Sequence, residues 1–321
     1  MQQIDNDSGN TPEDDRWERK ALENVALAAI TEQQRSRRWG IFFKFLGLAY
    51  LSLILAFVID WGQTERFADG QKITALVNVT GVIDSSDASA ENLSSALKEV
   101  YEDKHTAGVI LRINSPGGSP VQAGMMNDEI HRMRRLHPTI PVYVVVEDVC
   151  ASGGYYVAVA ADKIFVDKAS IVGSIGVLMD GFGFTGTMDK LGVERRLLTA
   201  GENKGFLDPF SPQTPQHKEY ALKMLGEIHA QFIDVVRRGR GQRLKETPEI
   251  FSGLMWSGAK SIEMGLADGY GTVESVARDV IKAEVIHDFT VKPNIAEKFA
   301  KRFGADMAEG MANAVSRVTL H

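Results

Sequence analysis

Apolar residues dominate one stretch near the start of the chain, residues 40–59, which reads GIFFKFLGLAYLSLILAFVI and carries a single charge, Lys44. Twenty helical residues at about 1.5 Å each span about 30 Å, the thickness of the hydrocarbon core of a bilayer. Trp39 and Trp61 bracket the run, as aromatic side chains do at membrane interfaces. A signal peptide would have a shorter apolar run. The pattern predicts one transmembrane helix, with residues 39–61 as the anchor.

The charges on either side of this run predict its orientation. Three arginines directly precede it (Arg35, Arg37 and Arg38), and only Arg66 and Lys72 follow closely. The positive-inside rule then places the N-terminus in the cytoplasm and the rest of the chain outside. We therefore interpret residues 1–38 as a cytoplasmic extension and residues 62–71 as a linker.

Beyond the linker, strand-like and helix-like segments alternate. β-Branched or continuous apolar runs predict strands over residues 72–83, 108–118, 141–149, 163–167, 171–180 and 193–201. Helical spacing of apolar residues predicts helices over 88–103, 120–136 and 152–161, and a mostly helical region over 212–283. This alternation predicts an α/β domain with a parallel sheet over residues 72–284. Residues 285–321 form a C-terminal extension whose packing the pattern leaves open.

Composition narrows the classes of function. The chain of 321 residues is 44% apolar and 24% charged, which is ordinary for a globular protein. Its formal net charge of −6 argues against electrostatic binding of nucleic acid, which requires a basic face. The single cysteine, Cys150, excludes an intrachain disulfide and a four-cysteine zinc site.

Two glycine-containing turns follow successive predicted strands. Ser152 lies in Cys-Ala-Ser-Gly-Gly-Tyr-Tyr, and the other turn reads Ser-Pro-Gly-Gly over residues 115–118. A hydroxyl at a strand end can project into a crevice, and glycine leaves backbone N–H groups open to an oxyanion. The alternative for Ser152 is a serine that caps the following helix. Either turn alone is a weak signal, and the pair is a stronger one.

A serine nucleophile requires a base. None of the seven histidines lies in the 64 residues after Ser152. Lysine can replace histidine where burial lowers its pKa. Among the downstream lysines, Lys204 lies in a loop between apolar segments, which makes it the best candidate for a base.

These motifs together resemble the signal peptide peptidase A family of membrane-anchored serine peptidases. The resemblance runs from about Ile73 to Ile281 and includes RINSPGGS, CASGGYYVAVAADKIFVD, VGSIGV, the lysine loop and FSGLMWSGAKSIEMGLADGYG. It implies a fold of stacked ββα units similar to the Clp protease subunit and the crotonases. It also implies a ring or dome of identical subunits.

The resemblance assigns roles to residues that match the family's motifs. Ser152 matches the nucleophile and Lys204 the general base, while Ser174 matches a serine that orients the lysine amine. The N–H groups of Gly118 and Gly153 match the oxyanion donors. The family's lysine loop has the form Ser-Gly-x-x-Lys, whereas residues 200–204 here read Ala-Gly-Glu-Asn-Lys. Thr199 also stands where a second lysine is common.

The implied function is hydrolysis of apolar peptides, such as remnants of signal peptides, by a homo-oligomer that needs no metal or cofactor. The bilayer holds it through residues 40–59, and the implied location is the bacterial inner membrane with the catalytic domain outside. Two other classes stay open. A crotonase-like acyl-CoA enzyme would share the glycine turns but would not use a serine with a partner lysine. A non-catalytic membrane scaffold would tolerate replacement of both residues.

Overall fold

The computed structural model describes residues 24, 27, 32, 35, 37–53, 70–86 and 88–291. The chain divides into two compact units, Met1–Ala68 and Asp69–His321. In the first unit, residues 37–53 form a helix, α1, whose side chains are exposed on every face. Within the described ranges, no helix is long and apolar enough to cross a membrane. The last six residues of the predicted span, 54–59, lie outside the described residues, so the anchor stays a prediction.

The second unit is built around one largely parallel sheet with the strand order β6-β5-β3-β2-β1-β8, to which β4 and β7 add beside β3. The strands are β1 (Ile73–Thr80), β2 (Thr106–Ser115), β3 (Val142–Ala151), β4 (Lys163–Val166), β5 (Ile171–Gly173), β6 (Met255–Ser257), β7 (Gly269–Tyr270) and β8 (Val285–Asp288). Only the β5–β6 pair is antiparallel among these strands. The α/β class is therefore confirmed.

Helices connect the strands and cover the sheet. They are α2 (Ala90–Glu102), α3 (Pro120–Leu136), α4 (Gly153–Ala158), α5 (Thr185–Leu191), α6 (Pro215–Arg240), α7 (Gly258–Glu263) and α8 (Val273–Ser275), with a 3-10 turn at Gly241–Arg243 and a π-helical segment at Val276–Ile281. The hydroxyls of Ser89 and Ser119 cap α2 and α3 by accepting from backbone N–H groups of their first turns. Proline in the first turn of α3 fits a position where no helical N–H bond is required.

Apolar side chains pack on both faces of the sheet. The larger cluster lies between the sheet and the covering helices and includes Leu97, Met126 and Val236. A smaller cluster, which includes Ile110 and Phe165, covers the opposite face of the sheet. Burial on both sides explains why these strands read as near-continuous apolar runs.

Two strand predictions are wrong, and part of the C-terminal extension, whose packing the sequence left open, joins the sheet. The strand predicted over 171–180 ends at Gly173, because the backbone of Ser174 adopts a positive φ of 52°. The strand predicted over 193–201 is an exposed irregular segment, and no strand among the described residues pairs with it. Residues Val285–Asp288, in the predicted C-terminal extension, form β8 beside β1.

Candidate active site

Ser152 lies at the junction between β3 and α4, in a conformation that few serines adopt. Its φ is 52° and its ψ is −121°, and its side chain makes no capping bond to α4. The structure thus argues against the capping interpretation. A non-glycine residue at such angles costs of order 1–3 kcal/mol and is typical of functional turns. The half-buried hydroxyl is free of the helix end and available for chemistry.

Ser152 opens onto a cavity of about 510 Å³. Helix α6 crosses one side of it, with Ile228, Gln231 and Phe232 in the wall. The remaining lining is mostly apolar or glycine and comprises Pro116, Gly118, Pro120, Ala123, Gly153, Tyr156, Ser174, Gly176, Val177, Leu178, Ser252 and Gly253. The space suits an apolar group held next to the serine oxygen.

The Ser-Pro-Gly-Gly turn packs directly against Ser152. A Cβ on Gly117 would lie 2.7 Å from both the Ser152 Cβ and the Gly153 nitrogen. Gly118 forms a parallel bridge with Ile83. The N–H of Ile83 donates to the carbonyl of Gly117, and the N–H of Ser119 donates to the carbonyl of Ile83. Because backbone groups alternate in direction along a strand, the N–H of Gly118 points away from Ile83. Gly153 lies on that side, since a Cβ on it would be 3.2 Å from the Gly118 nitrogen.

The buried hydroxyl of Ser115 stabilises this turn from within. Its Oγ accepts a hydrogen bond from the N–H of Gly117 at 3.1 Å. Gly118 and Gly153 both line the Ser152 cavity, so this bond helps to fix the shape of its wall. Backbone N–H groups at such a wall are the kind of donor that stabilises the oxyanion of acyl transfer.

Ser174 lines the same cavity from the end of β5. Its backbone also has a φ of 52°, and its N–H donates to the carbonyl of Leu254 at 2.8 Å. The carbonyl of Gly173, one residue earlier, accepts from the N–H of Ser152. The structure therefore brings together four of the residues that sequence indicated: Ser152, Ser174, Gly118 and Gly153.

Lys204 does not line this cavity. It lies in an exposed turn whose backbone N–H donates to the Gly201 carbonyl, and its side chain is exposed. The preceding residues, 191–204, are all exposed, so this segment contributes no buried residue to a core of its own. Within one copy, the structure therefore leaves Lys204 outside the cavity that Ser152 lines.

Four phenylalanines lie in residues 181–211, the segment that also carries Lys204. Phe182, Phe184 and Phe210 are exposed, and the last two rings stack at 5.4 Å. Phe206 packs edge-on against His217 and Tyr220 of α6. None of the four lines the Ser152 cavity, and none is part of the buried core.

His229 is the residue near the site that sequence reasoning missed. Its Nε2 lies 3.0 Å from the carbonyl oxygen of Ile175, the residue after Ser174. The signal was present in the sequence: His229 is three residues before the buried Phe232, so both lie on the inward face of α6.

Two other reactive groups beneath the site are locked away from solvent. Burial raises the pKa of the Cys150 thiol well above its usual range. Burial likewise raises the pKa of Tyr155, whose hydroxyl donates to the carbonyl of Leu266 at 2.8 Å. Burial thus disfavours the ionised, nucleophilic form of both side chains. The described residues hold no cluster of three or more histidine, cysteine or acidic side chains that fits a metal ion.

Comparisons with known proteins point to one family. The model of Peptidase family S49 matches residues 134–286. A protein of Enterococcus faecium named putative signal peptide peptidase SppA is 30% identical over 289 residues, which cover 79% of this chain and 83% of that protein. A Brucella abortus protein named Na(+)/H(+) antiporter NhaA is 44% identical over 202 residues, which cover 62% of this chain and 27% of that protein. The chain thus spans about a quarter of the Brucella relative.

A solved structure with a similar arrangement is a ClpP1 mutant from Listeria monocytogenes. It has 17% sequence identity and a TM-score of 0.40, and the match covers 61% of this chain and 90% of that one. The family match and the relatives named as proteases support a serine peptidase. The chain belongs to peptidase family S49.

Proposed function

We propose that this protein is a membrane-anchored serine endopeptidase that cleaves apolar peptides, such as remnant signal peptides, with a Ser152–Lys204 dyad. Ser174 orients the lysine amine, and the N–H groups of Gly118 and Gly153 bind the oxyanion. The protein works as a homo-oligomer without metal or cofactor. Residues 40–59 hold it in the bacterial inner membrane, with the N-terminus in the cytoplasm and the catalytic domain outside.

The strained, uncapped conformation of Ser152 carries this proposal. Its hydroxyl opens onto an apolar cavity, and two glycine N–H groups lie beside it. A serine that served only to start α4 would use its oxygen as a cap, and it would have no need of positive φ. The geometry supports attack on a carbonyl carbon whose oxygen rests against Gly118 and Gly153.

The reaction follows from these positions as acyl transfer. The neutral amine of Lys204 accepts the proton of the Ser152 hydroxyl while the serine oxygen bonds to the carbonyl carbon. The resulting ammonium then gives its proton to the leaving amine as the C–N bond breaks. Water then attacks the ester carbonyl while the lysine amine accepts a proton from that water. The resulting ammonium returns a proton to the Ser152 oxygen as the C–O bond breaks, which frees the peptide acid and restores both side chains.

The exposed position of Lys204 requires an additional step before catalysis. Only a neutral amine can accept the serine proton, and burial favours the neutral form of a lysine. The segment that carries the lysine also exposes Phe182, Leu197 and Leu198. Seating this apolar segment on a second copy would bury Lys204 and bring it to a serine. This need supports the homo-oligomer.

The N-terminal unit supports a working position at the membrane. From Trp39 to Leu53, helix α1 carries a single charged residue, Lys44, and its apolar side chains Ile41, Phe45 and Leu48 are more than half exposed. A helix that is apolar nearly all round is stable in a membrane or in a protein core. A peptidase attached this way, by a short linker, meets peptides that lie in the bilayer surface. The relative named signal peptide peptidase is consistent with this substrate class.

The test is hydrolysis of a chromogenic ester of an apolar peptide by the full chain in detergent micelles. Ser152→Ala and Lys204→Ala should each reduce kcat/KM by about 10³-fold or more, as expected for members of one covalent unit. Lys190→Ala, an exposed lysine on α5, and Ser95→Ala, an exposed serine on α2, serve as matched controls and should keep full activity.

Equal and negligible turnover in wild type and both dyad variants would refute the peptidase and favour the scaffold. Turnover of an acyl-CoA thioester that is unaffected by Ser152→Ala would favour a crotonase-like enzyme. Co-expression of the two inactive variants tests the second copy. Activity of the mixed oligomer shows that serine and lysine come from different chains, whereas an inactive mixture means that one chain supplies both.

A further inference from the structure

We propose that His229 is a positioning residue, which holds the turn that carries Ser174 and so controls how that serine presents its hydroxyl to the catalytic lysine. The inference rests on the proposed function, because Ser174 has this task only in a Ser-Lys enzyme. Neither the sequence motifs nor the family match points to His229.

The turn after β5 has a backbone shape that it does not adopt without support. Ser174 has a φ of 52°, in a region that favours glycine. Its N–H donates to the Leu254 carbonyl, and its own carbonyl accepts from the N–H of Gly176 at 2.9 Å. These two bonds fix the turn from the side of β6 and from within.

His229 supplies a third bond, and it comes from a different element. Its ring Nε2 lies 3.0 Å from the Ile175 carbonyl, between the two residues that make the other bonds. The side chain of Ile175 is fully buried, so this peptide unit is held on both its apolar and its polar side. The contact ties α6, which forms one wall of the cavity, to the turn that forms another.

The chemistry of the contact indicates that His229 is a positioning residue and not a general base. A carbonyl oxygen only accepts hydrogen bonds, so Nε2 must carry a hydrogen. A nitrogen that donates to Ile175 cannot also receive the proton of Ser152. The bond persists in the neutral Nε2–H tautomer and in the imidazolium alike, because both carry hydrogen on Nε2.

Hydrogen exchange of the backbone tests the contact without reference to catalysis. The full chain in micelles is compared with His229→Leu, which removes the donor, and His229→Gln, whose amide restores one. We expect exchange of the Ser174 and Gly176 amides to accelerate about tenfold or more in His229→Leu and to return close to wild type in His229→Gln. His131→Leu, which replaces a half-buried histidine of α3, is the matched control and should leave these amides unchanged.

A double-mutant cycle tests whether His229 affects the reaction through Ser174. His229→Leu should lower kcat/KM about tenfold in the wild-type background and less than about twofold when Ser174 is already alanine. Equal loss in both backgrounds, or unchanged exchange in His229→Leu, would overturn the proposal. If Ser152→Ala is as active as wild type while exchange still accelerates, the peptidase assignment fails and the contact of His229 with the turn is supported.

Discussion

The backbone N–H of Ser152 donates to the carbonyl of Gly173 at 2.8 Å, which joins the turn after β3 to the turn after β5. Both turns carry a serine with a φ of 52°, Ser152 in one and Ser174 in the other. The two strands are neighbours in the sheet, so their turns emerge at the same edge. One hydrogen bond thus couples the conformation of the proposed nucleophile to that of the serine proposed to orient its base.

The turn at Gly118 should not tolerate a side chain. A Cβ there would lie 2.1 Å from the Ile83 carbonyl oxygen, and φ is +150°. We expect Gly118→Ala to displace the oxyanion N–H, with a loss of kcat of about 10²-fold or more and of stability of about 2 kcal/mol. Ester hydrolysis and thermal unfolding measure the two effects.

Gly124→Ala is the matched control, since its Cβ would meet nothing within 4 Å and it lies in the interior of α3. It should raise stability by about 0.5–1 kcal/mol and leave kcat unchanged. Full activity in Gly118→Ala would contradict the oxyanion assignment.

The buried ion pair between Arg240 and Asp268 should dominate the electrostatic contribution to stability. The arginine is 1% exposed and makes two bonds to the carboxylate, which also accepts from the N–H of Ile164. Asp268→Asn leaves a buried guanidinium without its counter-charge, which we expect to cost about 3–5 kcal/mol in urea unfolding. Glu263→Gln, which breaks an exposed pair with Lys260, should cost less than about 1 kcal/mol.

The carboxylate of Asp268 also predicts how the stability of the fold depends on pH. Burial alone would raise the pKa of Asp268, but hydrogen bonds and the charge of Arg240 outweigh it, and the pKa lies below its ordinary value of 3.8. A depressed pKa stabilises the fold above the unfolded value, and that contribution disappears as the pH falls through the folded value. The stability difference between wild type and Asp268→Asn should therefore shrink below about pH 4. A difference that grows on acidification would show the opposite sign of shift.

Cys150 should be inert in the folded protein. It is fully buried, so a reagent cannot reach its thiol. Burial also raises the pKa of the thiol, which disfavours the reactive thiolate form. We expect a thiol reagent to label native protein at least about 10²-fold more slowly than urea-unfolded protein, and to leave peptidase activity intact. Rapid inactivation by the reagent would indicate that a cysteine takes part in the reaction.

The apolar side chains beside Lys204 should stabilise the oligomer. Leu198 is 96% exposed and Phe182 is 81% exposed in a single copy. Burying one such side chain contributes about 1.5–3 kcal/mol, so Leu198→Ser should weaken assembly about tenfold or more, as judged by light scattering over a dilution series. Leu136→Ser, at the end of α3, is the control for an exposed leucine elsewhere. Unchanged assembly in Leu198→Ser would place the interface on another surface.

The sequence alone determined the elements that depend on local order. Strand β1 and helix α3 follow from a β-branched run and from proline-led helical periodicity, both of which act over neighbouring residues. Parallel pairing followed from the near-continuous apolar run of β3, because only a strand covered on both faces buries it. The adjacency of Ser152 and Gly118 was predictable for the same reason, since parallel strands end at one edge.

Tertiary structure decided what depends on long-range contact. Ser174 terminates β5 because Leu254, distant in sequence, accepts its N–H, and no local pattern encodes that bond. His229 reaches Ile175 only because α6 folds back over the cavity. The segment at 193–201 has strand-like composition but stays irregular, since a strand forms only where another strand offers hydrogen bonds. Lys204 likewise lies exposed, which the apolar residues around its loop in the sequence did not predict.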